Sequence, residues 1–269
     1  MSNGLDKLAN GMGKAIETVP DVYEDALKPA TQESGKVLAL IPRTINAALV
    51  PLRKWIANKE CNLAETEKLL AQKLEHVGEE KIVTPEYYVA IPAIQAISYS
   101  MNSSELRNLY ANLLAKAMNS DTKDLVHPSF VEIIKQLSPT DSLVFKTIME
   151  RDANPLIDLV YQKFDNPNIP FPSSSITITT NISDIDIAPV ESICVSIDNL
   201  IKQGLISIPD DSSYTDKHLY DKLITSQYYM DQKRKHPDKP DGFKFSYVPH
   251  LIEETNLGKS FYNICAIDL

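Results

Sequence analysis

The chain has 269 residues, 43% of them hydrophobic, with 27 Lys and Arg against 36 Asp and Glu and a net charge of −9. That apolar content can build a buried core, which excludes disorder throughout, while the acidic balance opposes broad binding to a phosphate backbone. Nucleic acid is not an expected partner. Cys61, Cys194 and Cys265 are odd in number and form no CxxC pair, a pattern of reduced thiols rather than of a disulfide framework or a zinc site.

The opening "MSNGLDKLANGMGKAIETV" lacks the basic start and unbroken apolar run of a signal peptide, so a cytoplasmic location is expected. Residues 1–60 read as helical segments punctuated by Pro20, Pro29, Pro42 and Pro51. Within 34–59, Leu38, Ile41, Ile45, Ala48, Leu49, Leu52 and Ile56 recur at three- and four-residue spacing, with Lys36, Arg43 and Arg53 on the other side. The segment holds five Lys and Arg and no acid, a basic island in an acidic chain. Its longest uncharged run, 44–52, is far below the roughly 20 apolar residues of a membrane span. Two readings follow. Either the apolar side is bundle core, or Lys36, Arg43, Arg53, Lys54 and Trp55 lie against a protein partner or, peripherally, the anionic inner membrane.

Asn62, with Glu65 three residues on, predicts a helix start, and Leu63, Leu70, Leu74 and Val77 form its stripe before Gly78 stops it. Thr84-Pro85 predicts a second helix, interrupted by Pro92. In "SSELRNLYANLLAKAMNS" a wide stripe of Leu106, Leu109, Tyr110, Leu113, Leu114, Ala117 and Met118 predicts a core helix.

The stretch "HPSFVEIIKQLSPTDSLVF", 127–145, predicts two helices meeting at a corner. His127 caps before Pro128; Phe130, Val131, Ile133, Ile134 and Leu137 face inward; Ser138 caps again, with Pro139 opening the helix and Asp141 three residues after the cap. A chemical alternative pairs His127 with Glu132 or Asp141 as base and orienter beside Ser129 as nucleophile, a hydrolase site over 127–141. The helix rules account for the same residues without a substrate, so a structural corner is expected and catalysis is the lesser reading. No GxxxxGK[ST], HExxH, GxSxG or GxGxxG motif occurs, and neither cofactor nor metal is expected.

After Asn154-Pro155 the pattern changes. "PLIDLVYQKF" and the alternating "SSSITITTNI" predict strands, and Pro189 to Gly204 brackets a helix striped by Val190, Ile193, Ile197, Leu200 and Ile201, followed by a strand. A helical insertion at 214–236, a strand in "FKFSYVPHLIEE" and a closing helix in "TNLGKSFYNICA" complete the chain. The predicted fold is mainly α, with an N-terminal helical bundle over 1–152 and a winged-helix-like α+β region over 153–269. A wing raises the alternative of a DNA-binding regulator, but from residue 155 onward 10 Lys and Arg face 16 Asp and Glu.

Several of these blocks also carry a likeness. "VPDVYEDALKPATQESGK", "TINAALVPLRKWI", "IVTPEYYVAIPAIQAISYS", "ELRNLYANLLAKAM" and above all "HPSFVEIIKQLSP" resemble the abortive infection alpha family of bacteria, and "LIKQGLISI" and "TNLGKSFYNICA" resemble it more loosely. The resemblance implies a role in phage defence and supplies no catalytic residues. Action through binding, to a protein partner or another copy, is the expectation.

Overall fold

Helix α1 (Leu63–Lys73) begins the continuous part of the computed structural model, which describes residues 45, 47–50, 63–100, 102–166, 168–169 and 171–269. Leu70 and, in the turn that follows, Leu74 are buried. The helix ends at Lys73, and a 3₁₀ turn (Glu79–Lys81) leads into an extended piece. There Ile82 bridges to Asn119, and the Val83 N–H donates to the Met118 carbonyl at 2.8 Å. That pairing holds the chain straight, so α2 (Tyr87–Tyr99) starts after Glu86 and not at the expected Thr84-Pro85. Pro92 lies inside α2.

Helix α3 (Ser104–Ala117) is the centre of the helical part. Ser103 caps it, accepting the Leu106 N–H at 3.3 Å, and every residue from Leu109 to Ala117 is buried. Two of those residues are polar and both reach the chain's far end. Asn112 Nδ2 donates to the Cys265 carbonyl at 2.9 Å, and Lys116 Nζ donates to the carbonyls of Asn263 and Ile267. Burial lowers the Lys116 pKa, and these carbonyls replace the water its ammonium has lost.

Helices α4 (Ser129–Lys135) and α5 (Pro139–Met149) form the predicted corner, followed by strands β1 (Pro155–Lys163) and β2 (Ser174–Ser183). Helix α6 (Val190–Lys202) closes at Gly204, whose φ of +72° permits the C-terminal turn in which Leu205 N–H bonds the Leu200 carbonyl and Gly204 N–H that of Ile201. Strand β3 (Ile206–Ser207) comes next. The expected helical insertion holds a 3₁₀ turn (Lys217–Tyr220), α7 (Asp221–Ile224) and α8 (Gln227–Lys235). Strands β4 (Lys244–Leu251) and β5 (Glu253–Glu254), α9 (Asn256–Phe261) and a π-helical turn (Tyr262–Ala266) end the chain.

The strands form two antiparallel sheets, β2-β1-β4 and β3-β5. Strand β1 is central and apolar because both of its faces are covered: Leu156 joins the main core, while Ile157 and Leu159 join a second core with Ile182, Tyr220 and Leu223. Strand β2 carries irregularities opposite 157–160, and Asn181 there adopts a φ of 62°. The main core crosses residue 152. Phe261 meets Phe130 and Phe145 edge-on with centroids 5.5 and 5.6 Å apart, and Leu114, Ile134, Ile197 and Leu205 share the cluster.

The fold is mixed α+β with helices predominating. Among the described residues no helix is long and apolar enough to cross a membrane. Of the basic segment 34–59, Ile45, Ala48 and Leu49 are buried in the main core, while Lys36, Arg43, Arg53, Lys54 and Trp55 lie outside the described residues.

Candidate functional site

The corner is built by two caps of different chemistry. At α5, Ser138 Oγ accepts the Asp141 N–H at 3.0 Å while Asp141 Oδ2 accepts the Ser138 N–H at 2.7 Å, a reciprocal capping box with Pro139 opening the helix. At α4 the helix begins at Ser129. Pro128, not the expected His127, is the N-cap residue and supplies no side-chain bond; His127 Nδ1, one residue earlier, accepts the Ser129 N–H at 3.2 Å and lies 2.6 Å from Ser129 Oγ, tying down the helix start.

The structure therefore brings His127 and Ser129 together, but not the rest of the proposed catalytic set. Glu132 Oε1 accepts from Lys135 Nζ at 2.7 Å on the exposed side of α4. Asp141 is buried, its Oδ2 held by Ser138 and by Asn199 Nδ2 at 2.9 Å. Phe130, Ile134 and Leu137 are buried core, and Pro128 stands at the α4 cap. A carboxylate bonded to a helix start and to an amide is a fixed acceptor and not a free base.

Beside the α5 cap a cleft of about 720 Å³ opens against α6. Ser138, Thr140 and Asp141 form one wall; Glu191, Val195, Asp198, Asn199 and Lys202 on α6 form the other. Neither His127 nor Glu132 lines it. Asn199 fastens the walls together, donating to the Gln136 carbonyl and to Asp141 Oδ2, each at 2.9 Å, and Gln203 adds a bond to Gln136 Oε1 at 3.0 Å. Val195 is 65% exposed, an apolar side chain among polar neighbours.

The floor connects to the sheet. Asp198 Oδ1 accepts from Asn181 Nδ2 at 2.6 Å, the Asn181 N–H donates to Asp158 Oδ1 at 2.9 Å, and Asp158 Oδ2 lies 3.5 Å from His250 Nε2. The Asp158 carboxylate raises the His250 pKa above the ordinary imidazole value, against the opposing effect of burial, and Asp211 adds to the rise. Farther along, Arg151 and Lys222 stand 2.7 and 3.5 Å from Asp184 Oδ2. Burial pulls the Asp184 pKa up, but these bonds and charges outweigh it and hold the carboxyl below its usual value.

The cleft walls carry hydroxyls, carboxylates, an amide and one lysine, of which Ser138, Asp141 and Asn199 already bond one another. Cys194 and Cys265 are buried, and burial pushes the Cys194 thiol up to about 11, which keeps it protonated and unreactive. Among the described residues no group of three or more His, Cys, Asp or Glu could hold a metal ion. Sequence reasoning missed Glu191, Val195, Asp198, Asn199 and Lys202. Val195 was the available signal, being apolar yet off the stripe of Ile193, Ile197 and Leu200.

A family profile described as abortive infection alpha matches residues 58–265. No curated protein and no solved structure matches the chain.

Proposed function

Because the chain belongs to the abortive infection alpha family, we propose that it protects bacteria against phage, and that it does so by binding a protein partner or a second copy of itself rather than by catalysing a reaction. The observation that carries this reading is the extent of the family match, which begins just before α1 and runs through both sheets into the C-terminal turn.

The cleft supports binding. Its α6 wall exposes an apolar side chain, Val195, among Glu191, Asp198 and Lys202, in a recess that a partner's side chains could enter. In a winged-helix-like reading of this half, α6 takes the place of the recognition helix and the β3-β5 pair that of the wing, with 208–252 inserted between them. A DNA reader presents cations there, whereas this face carries two acids to one lysine. The hydrolase alternative rests on the 2.6 Å approach of His127 to Ser129. The same nitrogen also accepts the Ser129 backbone N–H, which favours a cap. We place the action in the cytoplasm, within reach of the inner membrane.

The test is infection of cells that carry or lack the gene with several unrelated phages, at low and high multiplicity. Fewer infective centres or smaller bursts for at least one phage are expected, and the two multiplicities separate host death from direct interference. Unchanged yields for every phage, with folded protein present, would remove the defence reading.

A further inference from the structure

The β1-β2 hairpin ends in an apolar tip that the proposed cleft does not use. Loop 164–173 exposes Phe164 at 49%, Ile169 at 50% and Phe171 at 74%, and Ile176 on β2 behind it is 45% exposed. Isolated exposed apolar residues are ordinary, but four on one hairpin, two of them aromatic, mark an interaction surface. Among the described residues, Asn166 Oδ1 accepts the Asn168 N–H at 2.9 Å, and Ser173 closes the base, bonding the Lys163 carbonyl through its N–H and its Oγ.

The tip stands at the end of β1 away from the main core. Leu156, near the strand's start, lies in that core, and the nine residues of β1 span roughly 26 Å.

Around the base of the tip the charge is reversed. Residues 231–244 carry five Lys and Arg against three Asp, and Lys163 joins them, in a region where acids otherwise predominate. The structure brings Lys239 and Lys244 to the hairpin beside Lys163. Lys239 Nζ sits 4.1 Å from the Tyr161 ring centroid, Lys163 and Lys239 flank the Phe243 ring at 5.9 and 5.7 Å, and Lys244 pairs across from Gln162. The His236 ring, just past the three cations that end α8, packs 6.1 Å from Tyr161. Of the acids nearby, Asp165 lies 3.7 Å from Lys163, Asp231 pairs with Arg234, Asp238 accepts the Phe245 N–H at 3.0 Å and Asp241 is exposed, so the cations outnumber the acids there without being free of them.

We propose that the 164–173 tip is a peripheral anchor that inserts Phe164, Ile169 and Phe171 into the interface of an anionic lipid bilayer while the cations at its base meet the headgroups. Apolar side chains at the end of a loop enter the headgroup boundary, and a cationic collar confines that insertion to anionic surfaces. Charge complementarity selects this occupant over a second copy, because two such collars would repel. The anchor is distinct from the basic segment 34–59, where Ile45, Ala48 and Leu49 already lie in the main core and are not available to lipid.

Flotation of the full chain with vesicles decides the matter, using equal parts phosphatidylglycerol and phosphatidylethanolamine in one arm and phosphatidylcholine alone in the other. Binding is expected only in the anionic arm, weakening between about 50 mM and about 500 mM salt as the cations are screened. The double variant Phe164→Ser/Phe171→Ser should reduce the bound fraction about tenfold, and Lys233→Glu/Lys235→Glu should abolish the preference for anionic lipid. All four positions are exposed, and unchanged thermal melts confirm that the variants are folded. Failure of the folded wild-type chain to float with anionic vesicles, or binding that the Phe164→Ser/Phe171→Ser variant retains in full, overturns the proposal. Self-association in sedimentation that this variant abolishes, without lipid binding, assigns the tip to a second copy instead and also overturns it. No arm uses phage, so a negative result here leaves the defence reading to its own test.

Discussion

Ser138 fixes the corner through one hydroxyl and one neighbouring carboxylate, which makes its contribution separable. Ser138→Ala should cost about 1 kcal/mol as a lost cap. Ile134→Ala, which empties a site in the main core, should cost about 2–5 kcal/mol. His127→Asn keeps an acceptor for the Ser129 N–H and removes the ring's proton chemistry, so urea unfolding should place it close to wild type. His250 supplies a pH signature. Its pKa is raised in the fold by Asp158, so its stabilising contribution is complete below the unfolded imidazole value of about 6.5 and is lost as pH rises through the higher folded value. Unfolding midpoints measured from pH 5.5 upward should therefore show a decline across that window which Asp158→Asn removes; an unchanged slope in the variant would show that the pair does not set it.

At the scale of elements, the turn from α6 into β3 depends on two glycines that act by different physics. Gly204 needs its φ of +72°, and an added Cβ would touch only Leu257 at 3.6 Å, so Gly204→Ala should cost about 1–2 kcal/mol of backbone strain. At Gly258 a Cβ would stand 1.9 Å from the Leu205 carbonyl oxygen. Gly258→Ala must push α9 off the Leu205 backbone, and calorimetry should show the larger loss, about 3 kcal/mol. Features governed by adjacent residues were legible in the sequence. The Ser138-Asp141 box, the Gly204 stop and the β1 and β2 strands follow from capping, φ and alternation alone. Features made by distant residues were not. The start of α2 moved from Thr84 to Tyr87 because residues 82–83 pair with the end of α3, a tertiary contact that no local pattern encodes. The cleft needs Asn199 to reach Gln136 and Asp141, and the cationic base of the hairpin tip needs Lys239 to fold over Tyr161.

For the whole molecule, one core joins the helical half to the strands, so the α5-α6 cleft is a rigid surface rather than a hinge between independent parts. The wall proposed to meet a partner is α6, and the two residues best suited to probing it are Glu191 and Val195, both exposed. The double variant Glu191→Lys/Val195→Arg reverses the charge of that wall and leaves the Asn199 bonds in place. The most direct measurement is the number of infective centres formed by a sensitive phage on cells expressing wild type, this double variant, or His127→Asn, with each protein shown to be folded and equally abundant. Defence by binding through the cleft predicts that the double variant loses protection while His127→Asn retains it. Full protection by the double variant together with none by His127→Asn would contradict the account and move the activity to the His127-Ser129 pair.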